Sequence, residues 1–427
     1  MTRTNCGQGK VNAAPLLLLL FAFFTAGCGA DGFKSQWQKG YKDLSSPMAF
    51  TRYGLVFVDK DDDRLNQLTC VSVTDGEHKW VTAIKPVALR VGDSVALATD
   101  ESTETIYLAQ GNSIAAFSAK TGAQAWSNET VSDPNIWAED FYPLTPPVVT
   151  DKYVLLTSRW SRVITLDRQS GRLVWRTKSD RRFADSLVVL DGVVITVSYQ
   201  DDPDEADLAA HDLSSGNERW RRRLSGLSEI SSRWRDSITF APPVKGVFFT
   251  LDSTRSMLAI EIVTGNLLWS QPVAALASFT VGQGVVLIAD SSSVRGIDAV
   301  TGQVRWQRPS EGITLVAPLN ETEGLVQVSR STATIEYSTG NITRHFSNAI
   351  GEQDKVLAAQ KGMVVVKLGE SAKLFISRGG KLGETVISHR SLIPNNNASP
   401  RQVMFLGNDL AVYTVGVGIE VFHQPAG

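Results

Sequence analysis

Cysteine is scarce. Cys6, Cys28 and Cys70 are the only three in 427 residues. That is too few for a disulfide framework, and no C-x-x-C pair exists to hold a zinc ribbon or a haem. The five histidines, His78, His211, His345, His389 and His423, include no H-x-x-x-H pair. Neither a P-loop nor a G-x-S-x-G turn occurs, which removes the usual phosphate cradle and the nucleophile elbow of hydrolases. An excess of either acids or bases is missing too. The formal net charge is -2, which leaves no electrostatic footprint for nucleic acid. No apolar run reaches 18 residues, the length that reads as a membrane-spanning helix. What is present is 43% hydrophobic and 20% charged residues, the composition of a chain able to bury a core.

The first segment reads apart from the rest. Residues 1–14 carry Arg3 and Lys10 and no acid, and residues 15–24 then read PLLLLLFAFF. A basic start followed by a short apolar run is the layout of a secretory signal. The sequence Thr25-Ala26-Gly27-Cys28 follows and resembles the bacterial lipobox, with Thr25 where that family usually has Leu. The resemblance implies cleavage before Cys28 and acylation of its thiol and new amine, and two or more acyl chains hold a protein stably at a membrane. Residues 1–27 are therefore read as a lipoprotein signal peptide, 28–33 as a lipidated tether and 34–427 as the folded body. Gly29 stands where an Asp would favour retention in the inner membrane of a two-membrane cell. Its presence favours the periplasmic face of the outer membrane, or the outer face of the cell membrane where there is only one.

A repeat fills the body. It appears as SVTDGEHKW (72–80), SAKTGAQAW (118–126), DRQSGRLVW (167–175), DLSSGNERW (212–220), EIVTGNLLW (261–269) and DAVTGQVRW (298–306). Two degenerate copies follow, EYSTGNITR (336–344) and ISRGGKLGE (376–384). The glycines recur every 37 to 49 residues, and six of the ten tryptophans stand four places after one: Gly76 with Trp80, Gly122 with Trp126, Gly171 with Trp175, Gly216 with Trp220, Gly265 with Trp269, and Gly302 with Trp306. Gly suits a tight turn needing positive φ, and the Asp, Glu or Ser four places earlier can bond turn amides. Five places before Gly lies an apolar residue in every copy but one, where His211 stands. One place further back lies a small one, such as Cys70, Ala116 or Gly296. That alternation is a strand with two unlike faces.

Two further short strands precede each turn, as in residues 186–190 and 193–199 around Asp191-Gly192. Each unit is then a four-stranded antiparallel blade, and a ring of blades protects its sheet edges. The expected fold is an all-β propeller. The tryptophan strand is the last of each blade, with its indole docked between neighbours. Residues 35–39 read as an isolated tryptophan strand at one end, and residues 402–423 supply three strands at the other; joining them closes the ring. Eight turn motifs plus this closing unit make nine by literal count. Propellers commonly have four to eight blades, which favours eight, with residues 355–387 irregular or merged.

The motif resembles the PQQ-like propeller repeat over about residues 34 to 423. With the lipobox, the architecture resembles the BamB-type lipoproteins of the outer-membrane β-barrel assembly machinery. This resemblance implies a monomeric, non-enzymatic scaffold that binds a protein partner and needs no cofactor or metal. The long insertion at residues 128–144 carries Trp137 and Phe141 and is the candidate partner loop, since loops carry function more often than cores. One rival is a PQQ-dependent dehydrogenase. Such enzymes resemble longer propellers with a quinone over a Trp floor beside calcium and, in many, an adjacent cysteine pair absent here. Another is a cell-wall glycan-binding module with an aromatic groove. The acidic stretches 59–63 and 201–207 can bind calcium in principle but lack the glycine and distal Glu of an EF-hand loop; they read as solvated loops. Arg181 with Arg182, Arg221 to Arg223, and Arg233 with Arg235 read as ordinary surface balanced by acids.

Overall fold

The computed structural model describes residues 34–423 apart from connecting segments, of which the longest are 85–94, 129–145, 226–245 and 388–399. The described residues form strands and turns and no helix. They make nine antiparallel sheets, eight of four strands and one of three. Blades one to eight lie in chain order at residues 49–83, 95–128, 148–176, 182–225, 247–272, 278–309, 313–346 and 355–387. Blade five, at 247–272, is the one with three described strands.

Blade nine closes the ring. Its strands Pro400–Leu406, Asp409–Thr414 and Gly418–His423 are completed by Lys34–Lys39 from the other end of the chain. Lys34 faces His423, Trp37 faces Val421 and Lys39 faces Ile419. The sheet count is the literal nine, and the preference for eight is corrected. Residues 355–387 are not merged; they form a four-stranded sheet of their own, registered from Lys355↔Lys367 to Arg378↔Lys381 with one register shift between Val356 and Ala358. The physical reason is that a blade is held by its backbone ladder. Strands such as MVVVKL and SAKLFISR pair without the tryptophan that marks six of the other copies.

The core lies between blades. The second strand of blade six, Val285–Ala289, is buried at every position, because a blade packed on both faces by its neighbours has no wet side. That is why these strands read as unbroken apolar runs and lack an alternating pattern. Val56, Leu68, Ile106 and Phe117 join blades one and two. Phe248, Ile260, Val193 and Leu208 join five and four. Trp37 and Val421 pack on Phe50 and Phe57, sealing nine to one. Strands Ile313–Pro318 and Pro400–Leu406 touch strand Lys355–Gln360 from either side, completing the circle. Each fully buried Val, Leu, Ile or Phe contributes about 1.5–3 kcal/mol, so the stability of the ring is spread over its interfaces.

Candidate functional site

The repeated turn is built from its own side chains. In blade six the Asp298 carboxylate accepts the Val300 and Thr301 amides at 3.0 and 2.8 Å. It also pairs with Arg305 across the hairpin at 2.5 Å. Gly302 N–H donates to the Asp298 carbonyl at 2.9 Å, with Gly302 at φ +72°. Asp212 does the same work in blade four, accepting from Ser214 and Ser215 and pairing with Arg219. The Arg305 guanidinium at Asp298, and the Ser214 hydroxyl with the Arg219 guanidinium at Asp212, hold both carboxyls well below the usual carboxylate range.

Past each glycine the ladder slips by one residue, at the same place in seven blades, from Cys70/Val71 to Thr334/Ile335. Such a bulge re-aims the side chains that follow. In six blades it sets the tryptophan opposite the small residue of the third strand: Cys70 faces Trp80, Ala116 faces Trp126 and Gly296 faces Trp306. A Cβ added to Gly296 would lie 2.2 Å from the Trp306 ring, which explains the small residue at this position. Cys70 is fully buried, and burial pushes its thiol up to about 11, away from the thiolate form that reacts.

Each indole then reaches the next blade. Trp80, Trp126, Trp175, Trp220, Trp269 and Trp306 lie against Gly122, Gly171, Gly216, Gly265, Gly302 and Gly340, one blade further on. Each ring N–H donates to the carbonyl three residues before that glycine: Trp80 to Ala119 at 3.1 Å, Trp175 to Leu213 at 2.8 Å, Trp269 to Ala299 at 3.1 Å. Trp37 on the closing strand repeats the contact with Gly76 and donates to Val73 at 2.6 Å. Seven of the nine seams thus carry one clasp. At the eighth, Arg344 stands where tryptophan would be.

A second contact was missed in the sequence. Two residues after the tryptophan, a donor of varying type bonds the carbonyl of the docked glycine itself: Thr82 to Gly122 at 2.8 Å, Asn128 to Gly171 at 2.7 Å, Gln271 to Gly302 at 2.7 Å. Arg222 reaches Gly265 at 3.4 Å. The position is regular and the residue type is not, so only the spacing could have found it. Because the clasps repeat one geometry, all these turns lie on one side of the ring. On that side Arg168 of blade three pairs with Asp100 of blade two at 2.8 Å, and Glu104 of blade two pairs with Arg52 and Tyr53 of blade one.

Other candidate positions fall elsewhere. Cys28, Trp137 and Phe141 lie outside the described residues, as do Asp61 to Asp63, Asp201, Asp202, Asp204, Arg181, Arg233 and Arg235. Among the described residues no three His, Cys, Asp or Glu side chains converge to hold a metal ion.

Fold and seams define a propeller whose blades are joined by tryptophan clasps. The family model for outer membrane protein assembly factor BamB matches residues 34–140, 110–278 and 204–391, and the chain belongs to that family. The chain is 24% identical to the BamB of Moranella endobia over 200 residues, 45% of this chain and 48% of that protein. It spans about half the length of the curated BamB relatives it matches. The crystal structure of BamB from Moraxella catarrhalis superposes at a TM-score of 0.52 and 14% identity, covering 92% of this chain and 100% of that one. A europium-containing methanol dehydrogenase also superposes, at a TM-score of 0.52 and 11% identity over 91% of this chain and 92% of that one. At these identities the likenesses show the fold alone.

Proposed function

We propose that the protein is a membrane-anchored, non-enzymatic scaffold of the cell envelope that serves outer-membrane protein assembly. The observation that carries this reading is the BamB family match running from residue 34 to residue 391. The anchor is the acylated Cys28, the face presented is the periplasmic side of the outer membrane, and the partner is a protein of the β-barrel assembly machinery met by the loop holding Trp137 and Phe141. A rigid ring with loops on two sides suits recognition, since the blades fix the loops while the loops vary.

The test combines anchoring and assembly. Labelled palmitate enters the full chain and not Cys28→Ala, which moves to the soluble fraction. In cells lacking the protein, folded barrel proteins in the outer membrane fall, and the full chain restores them better than Cys28→Ala. Palmitate uptake with barrel levels unchanged by the deletion would leave an anchored protein outside assembly. No palmitate uptake would remove the anchor.

A further inference from the structure

The large apolar side chains left in water are not scattered over the described surface. Nine are exposed, and eight of them stand two or three residues from a turn glycine, on the side of the ring that carries these turns. Blade three shows Leu173 and Val174 beside the charged Arg172, and blade five shows Val263, Leu267 and Leu268, between 41% and 55% exposed. Blade six adds Val300 and Val304, and blade seven Ile342. The turn tips differ in charge as well. From two residues before the glycine to two after it, blades five, six and seven read VTGNL, VTGQV and STGNI, with no charge. The corresponding tips of blades one to four carry Asp75 and Glu77, Lys120, Arg172, and Glu218. Apolar surface gathered on successive elements marks an interaction site more often than single exposed residues do.

The chain itself says what this side meets. Trp37 clasps Gly76 as Trp80 clasps Gly122, so the closing strand runs as the other tryptophan strands run, starting at the turn side. Lys34 opposite His423 marks that end. Lys34 therefore lies on the turn side, and the six residues that separate it from the acylated end, Cys28 to Phe33, can span at most about 20 Å. An anchor so short holds this side near the lipid.

We infer that the turn side of the ring lies on the membrane, with Val263, Leu267, Val300 and their neighbours on blades five to seven entering the headgroup region, and the opposite side of the ring facing the periplasm. The inference rests on the acylation of Cys28 proposed above. Uncharged apolar tips cost little to place at the headgroup boundary and add contact area to the lipid anchor. The charged tips of blades one to four stay at the wet margin.

Val300→Cys and Ala83→Cys, at the turn end and the far end of their strands, provide the test. The mature acylated protein, which begins at Cys28 and so lacks Cys6, is labelled with a fluorophore at either site and mixed with phosphatidylethanolamine–phosphatidylglycerol vesicles containing doxyl-lipid. Cys70 is 0% exposed and stays unlabelled. The expected result is flotation with the vesicles and quenching several-fold stronger at position 300 than at position 83. Flotation with equal quenching at the two sites overturns the inference, leaves the anchor standing, and assigns the apolar tips to a protein. Failure to float overturns the anchor and the inference together.

Discussion

Replacing Trp269 by alanine lowers the stability of the ring by about 3–5 kcal/mol. Trp269 is 8% exposed and packs among Phe249, Met257, Phe279 and Val286 between blades five and six. Its ring lies 5.9 Å from that of Phe249, and its N–H is bonded to the Ala299 carbonyl. Truncation empties a space walled by two sheets, each held by its own ladder, so the gap cannot close cheaply. It also strips the Ala299 carbonyl of the indole donor. Trp269→Phe keeps most of the apolar contact and loses the N–H, and costs about 1–3 kcal/mol. Blades meet mainly their neighbours, so the damage should stay local. Hydrogen exchange will speed up in blades five and six first, while urea unfolding followed by circular dichroism gives the total. A loss under about 1 kcal/mol, or exchange rising evenly round the ring, would contradict a clasp at this seam.

Asp290→Ala has an effect of similar size by another route. Asp290 is 1% exposed and Arg295 is 9% exposed. The carboxylate accepts the amides of Ser292 and Ser293 at 2.9 Å each and of Ala274 at 3.2 Å, and meets Arg295 at 3.1 Å. Arg295 also donates to the Pro272 carbonyl at 2.7 Å. Together they pin the crossing from blade five to blade six. Burial pushes the Asp290 carboxyl up, and the Ser292, Ala274 and Ser293 donors outweigh it, leaving the group below its usual value of 3.8. A carboxyl depressed in the fold stabilises above its unfolded value, and that contribution is lost as pH falls through the folded one. Removing the carboxylate strands a buried guanidinium, which costs about 3–5 kcal/mol. Asp290→Ala combined with Arg295→Leu should recover much of the loss, because no lone charge remains. Thermal melts at neutral pH compare the two, and a double variant no more stable than the single one would show that the pair does not act through charge.

Much of the ring was legible because one turn carries three constraints at once. A glycine at positive φ, a tryptophan four places on and a small residue six places back are each required by the same docked indole, so they recur together. The closing strand was legible from Trp37 alone. Blade eight was legible only as a degenerate turn and not as a blade of its own, because ISRGGKLGE puts Glu384 where the indole would stand, and backbone pairing needs no particular side chain. The donor two places after the tryptophan escaped notice because threonine, asparagine and glutamine do one task through different groups. His211 breaks the apolar pattern at a buried position, 5% exposed with neither ring nitrogen bonded, and burial pulls its imidazole below the ordinary value, favouring the neutral form. The sidedness of the exposed apolar residues was hidden for another reason. It depends on which end of each strand shares a face with Lys34, and only the ring settles that.

The central claim is that this propeller is a scaffold whose insertion meets a barrel-assembly protein. The most direct measurement places a photo-crosslinking residue at Trp137, and separately at Ala83, in intact cells, and identifies the adducts by mass spectrometry. The account predicts an adduct with a protein of the β-barrel assembly machinery from position 137 and none from position 83. No adduct at position 137, or the same unrelated envelope proteins from both positions, would contradict it.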